Sequence, residues 1–531
     1  MRGNSVKIWS KMAGAAALGM ALAVSGAVAP SYAAANSITV ADTTAGGGGT
    51  QQIATPWFNS GALSQSVMFR GLLRANADLN TVKPDLASSF KVSADGKKVD
   101  VTLKSGLKWS DGEAIGTDDV VWSMNTLLRV AQANGIFVNA FKQIVGSEAV
   151  SATNDATISG ITVNGNVISI ELKAPQNTFL PVLAQFMILP KHALAKVDPL
   201  KMATDKFWKD PVTSGPFMVG KLSQGNFITL VPNPNFEGAK PKITEINVVT
   251  SANLVNDAKS GKIDYFTTND AETIAAMGAV SSFKGTEVNT PFYRYFIFNL
   301  TQANSPFKNI KARQALKYGI DWNGLVPILY RTGKVINSGV MAGMEYHLAS
   351  IPKVAFNEAK AKKLLKEAKF DFSKTIRLRH YYAGQAEITF MTAIAQQMMD
   401  LGMKVEMLRF QADPTTELYT NRNYDVALKG LSAFSVAEWY GEYSNTATFE
   451  KIIGPQPKFA ALNAKFATAQ TDAQMKKALT DLQKLEQASL LKFPIHSLKQ
   501  YVYVSKNITG TGKFGNPLYI YDNSFANWVA R

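Results

Sequence analysis

The chain is expected to fold as an α/β protein, and three observations carry that expectation. Residues 376–382, 388–401 and 405–410 read as strand, helix and strand, a β-α-β rhythm that builds a doubly wound parallel sheet. Asp95-Gly96 and Asn164-Gly165 each stand between short alternating runs, and glycine tolerates the positive φ a tight hairpin needs. Residues 292–300 (FYRYFIFNL) are apolar or aromatic apart from Arg294 and Asn299, as in a strand covered on both faces.

The remaining elements follow in order. Arg2, Lys7 and Lys11 precede an uncharged Ala-, Leu- and Val-rich run, residues 12–29, and small residues follow Pro30. That pattern is a secretory signal peptide cleaved near residue 33 or 35. No cysteine follows to carry a lipid, since the chain has none. Residues 38–41 read as the first strand, and four glycines (46–49) lie in the stretch after it. Residues 67–73 read as a helix. Phe90 and Val92 open a hairpin that returns through Val99, Val101 and Leu103, with Lys98, Asp100, Thr102 and Lys104 on the other face. Leu107-Lys108-Trp109 reads as a third strand. Thr117 is placed to cap the next helix, with Asp118 and Asp119 in its first turn. Asn309 is placed to cap a helix whose apolar stripe is Ala312, Ala315, Leu316, Gly319 and Ile320. Residues 356–368 and 472–490 are amphipathic helices. Residues 424–428, 493–504 and 519–521 read as late strands.

Composition excludes several functions. The absence of cysteine removes disulfides, thiolate metal sites and cysteine nucleophiles. The four histidines, His192, His347, His380 and His496, have no metal-ligand spacing, so neither a metal nor any other cofactor is implied. The Ser-x-x-Lys matches lack the partner motifs of a penicillin-binding enzyme, and Gly-x-Ser-x-Gly is absent. A formal net charge of +16 comes from lysines spread along the chain. Without a basic block, it describes a solvated surface rather than a nucleic-acid site.

Several phrases resemble the extracellular solute-binding proteins of family 5, the dipeptide- and oligopeptide-binding type of ABC importers. Pro84 to Ala87, Asp95-Gly96, residues 103–109, Asp111-Gly112 and Asp119-Val120 stand in that family's order. Residues 189–194 (LPKHAL), 213–217 (TSGPF), 231–236 (VPNPNF), 240–243 (KPKI), 260–264 (SGKID), Asn299, Pro306-Phe307, 313–316 (RQAL) and Ile320-Asp321 follow it too. The resemblance implies a two-lobed periplasmic-binding-protein fold (cluster C type) with an extra inserted α+β domain. Residues 1–35 would be the signal peptide. Residues 36–70, 187–298 and 499–531 would form a discontinuous lobe I, 71–186 the extra domain II, and 299–498 lobe III. The implied function is non-enzymatic. A small organic solute, peptide-like or other, is captured between the lobes of a periplasmic monomer and delivered to an ABC permease in the inner membrane. No nucleic acid is involved. A secreted hydrolase acting on peptides or cell-wall fragments is the alternative, and a chaperone or sensor on the same fold is a third reading.

The resemblance also selects candidate ligand residues. The family's loop after the first strand lines the cleft, which points to Gln51, Gln52 and Trp57. Tyr381 and Tyr382 close a strand at a cleft-facing position. Ser432, Phe434, Glu438, Trp439 and Tyr440 follow the strand at 424–428. Core packing is the competing reading of each aromatic. Arg313 is expected to be an ion-pair partner rather than a ligand residue. Peptide-binding members follow that strand with Gly-Trp-x-x-Asp, whose Asp accepts the ligand's α-ammonium. Here Gly430 is followed by Leu431, and Phe434 stands in the place of the Asp, with Glu438 as the nearest acid downstream. A buried ammonium without a carboxylate is costly, so free-amine peptides are not the expected ligands. The mature protein is expected to begin near Ala34 or Asn36, which mass analysis of periplasmic extract checks.

Overall fold

The computed structural model describes residues 36–41, 56–57, 63–131, 133–223, 227–288, 290–330 and 332–531. The signal-peptide segment, the four glycines, Gln51 and Gln52 lie outside these.

The alternation of the 83–124 stretch becomes the inserted domain. Ala87–Val92 and Lys98–Leu103 pair antiparallel around Gly96, whose φ is 70°. Val99, Val101 and Leu103 are buried while Lys98 is exposed. Val167–Glu171 pairs with the second of these strands, and Ile161–Asn164 closes the sheet at its edge. Helices Thr117–Leu127 and Gly135–Phe141 contribute Val120, Met124, Phe137 and Phe141 to its core.

Three local expectations change. Leu107-Lys108-Trp109 is not a strand, because only Lys108 bridges, to Ala114. The helix cap is Gly116, not Thr117: the Asp119 carboxylate accepts from the Gly116 N–H at 2.9 Å, and its other oxygen accepts from the Lys191 N–H. The expected helix at 67–73 is instead Leu63–Met68, followed by a strand at Leu73–Ala75 that pairs with Val82–Pro84.

Two larger sheets make the lobes. The first has seven strands, including Ser37–Ala41 flanked in parallel by Glu245–Val249 and Tyr265–Thr268. Its core runs without a break into that of the inserted domain. The second has six strands, with Phe292–Phe298 at its centre. Phe292, Phe296 and Phe298 enter one buried layer, and Tyr293, Tyr295 and Ile297 enter the layer on the opposite face. Thr375–His380 is parallel to Lys404–Arg409 and Val426–Ser432, as the β-α-β rhythm predicts. The sheets are nevertheless mixed rather than wholly parallel. Phe292–Phe298 and Lys492–Ser497 carry the chain into and out of the second sheet, and they run antiparallel to their neighbours.

The chain passes between these sheets twice, from Val288 to Phe292 and from Ser497 to Gln500. The expected strand run 493–504 is therefore two strands, one in each sheet. Residues 519–521 are irregular. The backbone of Ile520 is satisfied by the Gln185 amide, which donates to its carbonyl and accepts from its N–H. Arg313 makes no ion pair among the described residues. Its guanidinium donates to the carbonyls of Phe307, Lys308 and Ser489.

Asp85 ties the inserted domain to the first lobe. Arg70 donates to it at 2.7 Å and Arg74 pairs with its other oxygen at 2.9 Å, while Arg70 also reaches Glu237. Burial pushes the Asp85 carboxyl up, but Arg74 and Arg70 outweigh it and hold it below the usual range. Asp85→Ala would leave two guanidinium groups short of a counter-ion, and a broken buried pair costs about 3–5 kcal/mol. Urea unfolding followed by tryptophan fluorescence is expected to show a loss of that size.

Candidate ligand-binding site

One edge of the second sheet gathers several chain ends. Strands Thr375–His380, Lys404–Arg409 and Val426–Ser432 all finish there. Phe292 lies opposite Ser432, so the central strand begins at the same edge, and His496, near the end of Lys492–Ser497, lies opposite Arg294. Open α/β sheets bind ligands outside the carboxyl ends of their parallel strands. Both passages between the sheets leave from this edge.

Tyr381 and Tyr382 follow the end of their strand directly. The Tyr382 hydroxyl donates to that of Tyr381 at 2.9 Å, and the Tyr381 oxygen accepts from the Gly430 N–H at 2.9 Å. The Arg294 guanidinium lies 4.2 Å from the Tyr382 ring centre and 4.6 Å from that of Phe292. Glycine at 430 leaves room for both groups, because a Cβ there would force the Tyr382 hydroxyl and an Arg294 nitrogen to shift.

The Ser432 carbonyl accepts from the Tyr519 hydroxyl at 3.0 Å, a bond between the second sheet and the C-terminal segment. Phe434 is 5% exposed and meets the Tyr519 ring edge-on at 5.2 Å. Glu438 is the third residue of the short helix Val436–Gly441. It closes a capping box with Ser435, accepting from the N–H groups of Phe434 and Ser435. Burial pushes its carboxyl up to about 8, against the pull of those two N–H groups, and Glu442 adds to the rise.

The other candidates lie in cores. Trp439 and Tyr440 are fully buried in the layer on the opposite face of the sheet. The Trp439 indole donates to Glu486 at 2.6 Å, and the Tyr440 hydroxyl donates to the same carboxylate at 3.3 Å. Trp57 is fully buried in the first lobe, stacked on Phe186, and donates to the Met187 carbonyl at 2.8 Å. The same edge also gathers Arg294, His496 opposite it, Tyr330 stacked on His496 and Tyr519, which sequence reasoning did not single out. The lone arginine in an aromatic strand was the visible signal for the first. The others come together only through the fold.

Comparison with known proteins places the chain in a family. The sequence pattern of the bacterial extracellular solute-binding proteins, family 5, matches residues 81–449. The chain belongs to that family. A Brucella ovis protein that carries the name of an ABC transporter peptide-binding protein is 27% identical over 401 residues, covering 72% of each chain. The glutathione-binding protein GsiB of Salmonella typhimurium is 24% identical over 518 residues, covering 91% of this chain and 94% of its own. Lactococcal OppA, solved in its closed conformation with an endogenous peptide, superposes with a TM-score of 0.80 at 19% identity, over 93% of this chain and 99% of its own.

The family 5 chain is thus the substrate-binding component of an ABC importer, and its fold is the two-lobed α/β arrangement of its relatives. The family's proteins bind substrates and are not enzymes. Among the described residues, no helix is long and apolar enough to cross a membrane, and no acidic and histidine side chains group to hold a metal.

The Glu438 carboxyl gives the site a measurable pH signature. Its folded value lies above its ordinary one of 4.5. Between these two values the folded state holds a proton that the unfolded state has released. The contribution of Glu438 is therefore fully present below about pH 4.5 and declines as pH rises towards 8. Glu438→Gln keeps an oxygen for both N–H groups but does not titrate. Melting temperature is expected to fall more steeply from pH 5 to pH 8 in the wild type than in this variant.

Proposed function

We propose that the chain captures a small organic solute between its two lobes and hands it to an inner-membrane permease. It does so as a periplasmic monomer released by a cleaved signal peptide, with no lipid anchor and no catalytic step. The observation that carries this reading is the edge where both passages leave the second sheet. There Tyr381, Tyr382 and Ser432 stand, and Tyr519 approaches from the other lobe. A solute held from both sides favours the closed form, because only that form makes both sets of contacts. Opening would break the bond between Tyr519 and Ser432 and the contact of Phe434 with Tyr519. This proposal divides the chain into lobe I, domain II (71–186) and lobe III, with the expected lobe I–lobe III boundary at 298 moved back to 288–292, because Phe292–Phe298 is the central strand of the second sheet.

The names of the Brucella and Salmonella relatives point to a peptide-like ligand. Glu438 argues against a free α-amine at its position. Its carboxylate already accepts two backbone N–H groups, and burial favours its neutral form. The solute is therefore expected to present an uncharged or apolar group near Phe434. Gln51 and Gln52 remain candidates of the first lobe in this proposal, whereas the buried Trp57 does not.

Two measurements test the reading. X-ray scattering is expected to show a smaller radius of gyration on ligand binding, and an unchanged radius would remove hinge closure. Calorimetry is expected to rank N-acetylated peptides at or above their free-amine counterparts. A binder at about a hundred times its dissociation constant should raise stability by ~2.7 kcal/mol. Tight binding of free peptides, lost on acetylation and in Glu438→Gln, would restore ammonium recognition.

A further inference from the structure

Arg294 is 8% exposed. A guanidinium so deeply buried ordinarily has a carboxylate or several carbonyls for company. Arg294 has neither among the described residues. Two aromatic rings flank it, and its Nε has no hydrogen-bond partner. The other buried arginines have polar partners, although the Arg313 Nε is unpartnered too. Arg70 has Asp85 and Glu237, Arg379 has Glu406, and Arg313 has three carbonyls.

The unpartnered atoms around Arg294 are not scattered. His496, opposite it on the neighbouring strand, is fully buried with neither ring nitrogen bonded. Tyr330 stacks on His496 at 4.5 Å, and its hydroxyl is unpartnered. Ser432 lies opposite Phe292, and its hydroxyl is unpartnered too. Residues directly opposite in an antiparallel pair share a face. Phe292, Arg294 and Ser432 therefore project together, with Gly430 leaving the space between. Buried polar atoms are nearly always bonded to something, so four such residues at one ligand-facing edge mark a place built for a polar guest.

The charge of that guest follows from the cage. Arg294 is a cation, and the residues around it add hydroxyls and an imidazole. Burial and Arg294 together hold His496 well below its ordinary value, so it stays neutral. Glu387 acts electrostatically on Tyr330 and Tyr382 but makes no ion pair with Arg294. Tyr382 also stands two residues before Gly384, which caps the helix Gln385–Asp400 without a side chain to accept its N–H groups. One guanidinium neutralises one negative charge through a two-pronged fork that matches a carboxylate. A phosphate dianion would keep an excess charge in the same cage.

We propose that Arg294 anchors an anion subsite that takes a carboxylate group of the transported solute, with Ser432 and Tyr330 as hydroxyl partners. The subsite deepens the solute-capture reading above and rests on it. An anionic end at Arg294 and no ammonium partner at Glu438 define a ligand that is an acid without a matching free amine.

The test uses the mature full-length protein and a defined panel. The panel holds N-acetyl-trialanine, its C-terminal amide, free trialanine, a set of sugar acids with their neutral sugars, and glycerol 3-phosphate. Binding is read by calorimetry and by thermal shift. Acids are expected to bind at least tenfold more tightly than their amides or neutral counterparts, and that preference is expected to vanish in Arg294→Met. Arg294→Lys keeps the charge but not the fork and should retain only part of it. In the absence of any panel compound, Arg294→Met should melt at or above the wild-type temperature, because it removes an uncompensated charge. A lower melting temperature for both Arg294→Met and Glu387→Gln, non-additive in the double variant, would show an internal ion pair and overturn the proposal. Acid preference that survives Arg294→Met would also overturn it, as would tighter binding of glycerol 3-phosphate than of any acid. Binding of neutral compounds alone would overturn the subsite and leave solute capture standing. No binding by any panel member would count against both.

Discussion

The strand Phe292–Phe298 is covered on both faces, and the second lobe is built around what that burial demands. Each polar side chain on it must find a partner inside the protein. The Tyr293 hydroxyl donates to the Gly339 carbonyl at 2.6 Å, and the Tyr295 hydroxyl donates to Glu442 at 2.8 Å. Glu442 then collects Lys429 and the fully buried Lys492. The Lys492 ammonium lies 3.7 Å from the Trp439 ring centre. Burial pushes it down to about 8, against the raising effect of Glu442. Lys492 and Arg294 are thus two buried cations at the same sheet, treated differently. Lys492, deep in the layer, has its carboxylate. Arg294, at the edge where the lobes meet, has only rings.

The same edge is where the two lobes touch. Tyr519 reaches Ser432 and Phe434, and the inserted domain makes its own contacts with the second lobe. Asn177 donates to the carbonyls of Phe466 and Ala467, and Gln470 donates to the Asp95 carbonyl. These bonds are few and mostly made to main-chain carbonyls. They can be exchanged for water at modest net cost, since a typical hydrogen bond contributes about 0.5–1.5 kcal/mol. The inserted domain, by contrast, is joined to the first lobe through a continuous apolar core and the Asp85 ion pairs. A movement between lobes would therefore carry the inserted domain with the first.

Much of the fold was legible because its signals are local. The Asp95-Gly96 and Asn164-Gly165 turns, the Asn309 helix cap and the both-face burial of Phe292–Phe298 depend on neighbours in sequence. Mistakes arose where a partner distant in sequence decides. Gly116 caps its helix because Asp119 folds back on it while also holding Lys191. Residues 519–521 resemble a strand, but Gln185, more than three hundred residues away, satisfies Ile520 and replaces a ladder. The candidate site suffered most. An aromatic such as Trp439 looks the same in sequence whether it lines a cleft or stacks on Tyr293 at 4.4 Å. Arg294 stood out by composition alone, but its lack of a counter-ion is a property of four separate strands and loops.

The arrangement of charge at the edge is a difference between two environments rather than a sum of contacts. On one side Glu438 is held by backbone N–H groups that its helix needs in any case. Burial makes its ionised form costly, so it offers little attraction to a cation. On the other side stands the Arg294 cation, and the two rings beside it attract it without neutralising it. Burial weakens solvent screening at both positions. A solute carrying a carboxylate and no ammonium relieves the second environment without challenging the first. A zwitterion in the orientation of a free peptide would have to place its ammonium beside a carboxyl already occupied by Phe434 and Ser435. Selectivity at such a site comes as much from the group that is refused as from the one that is held.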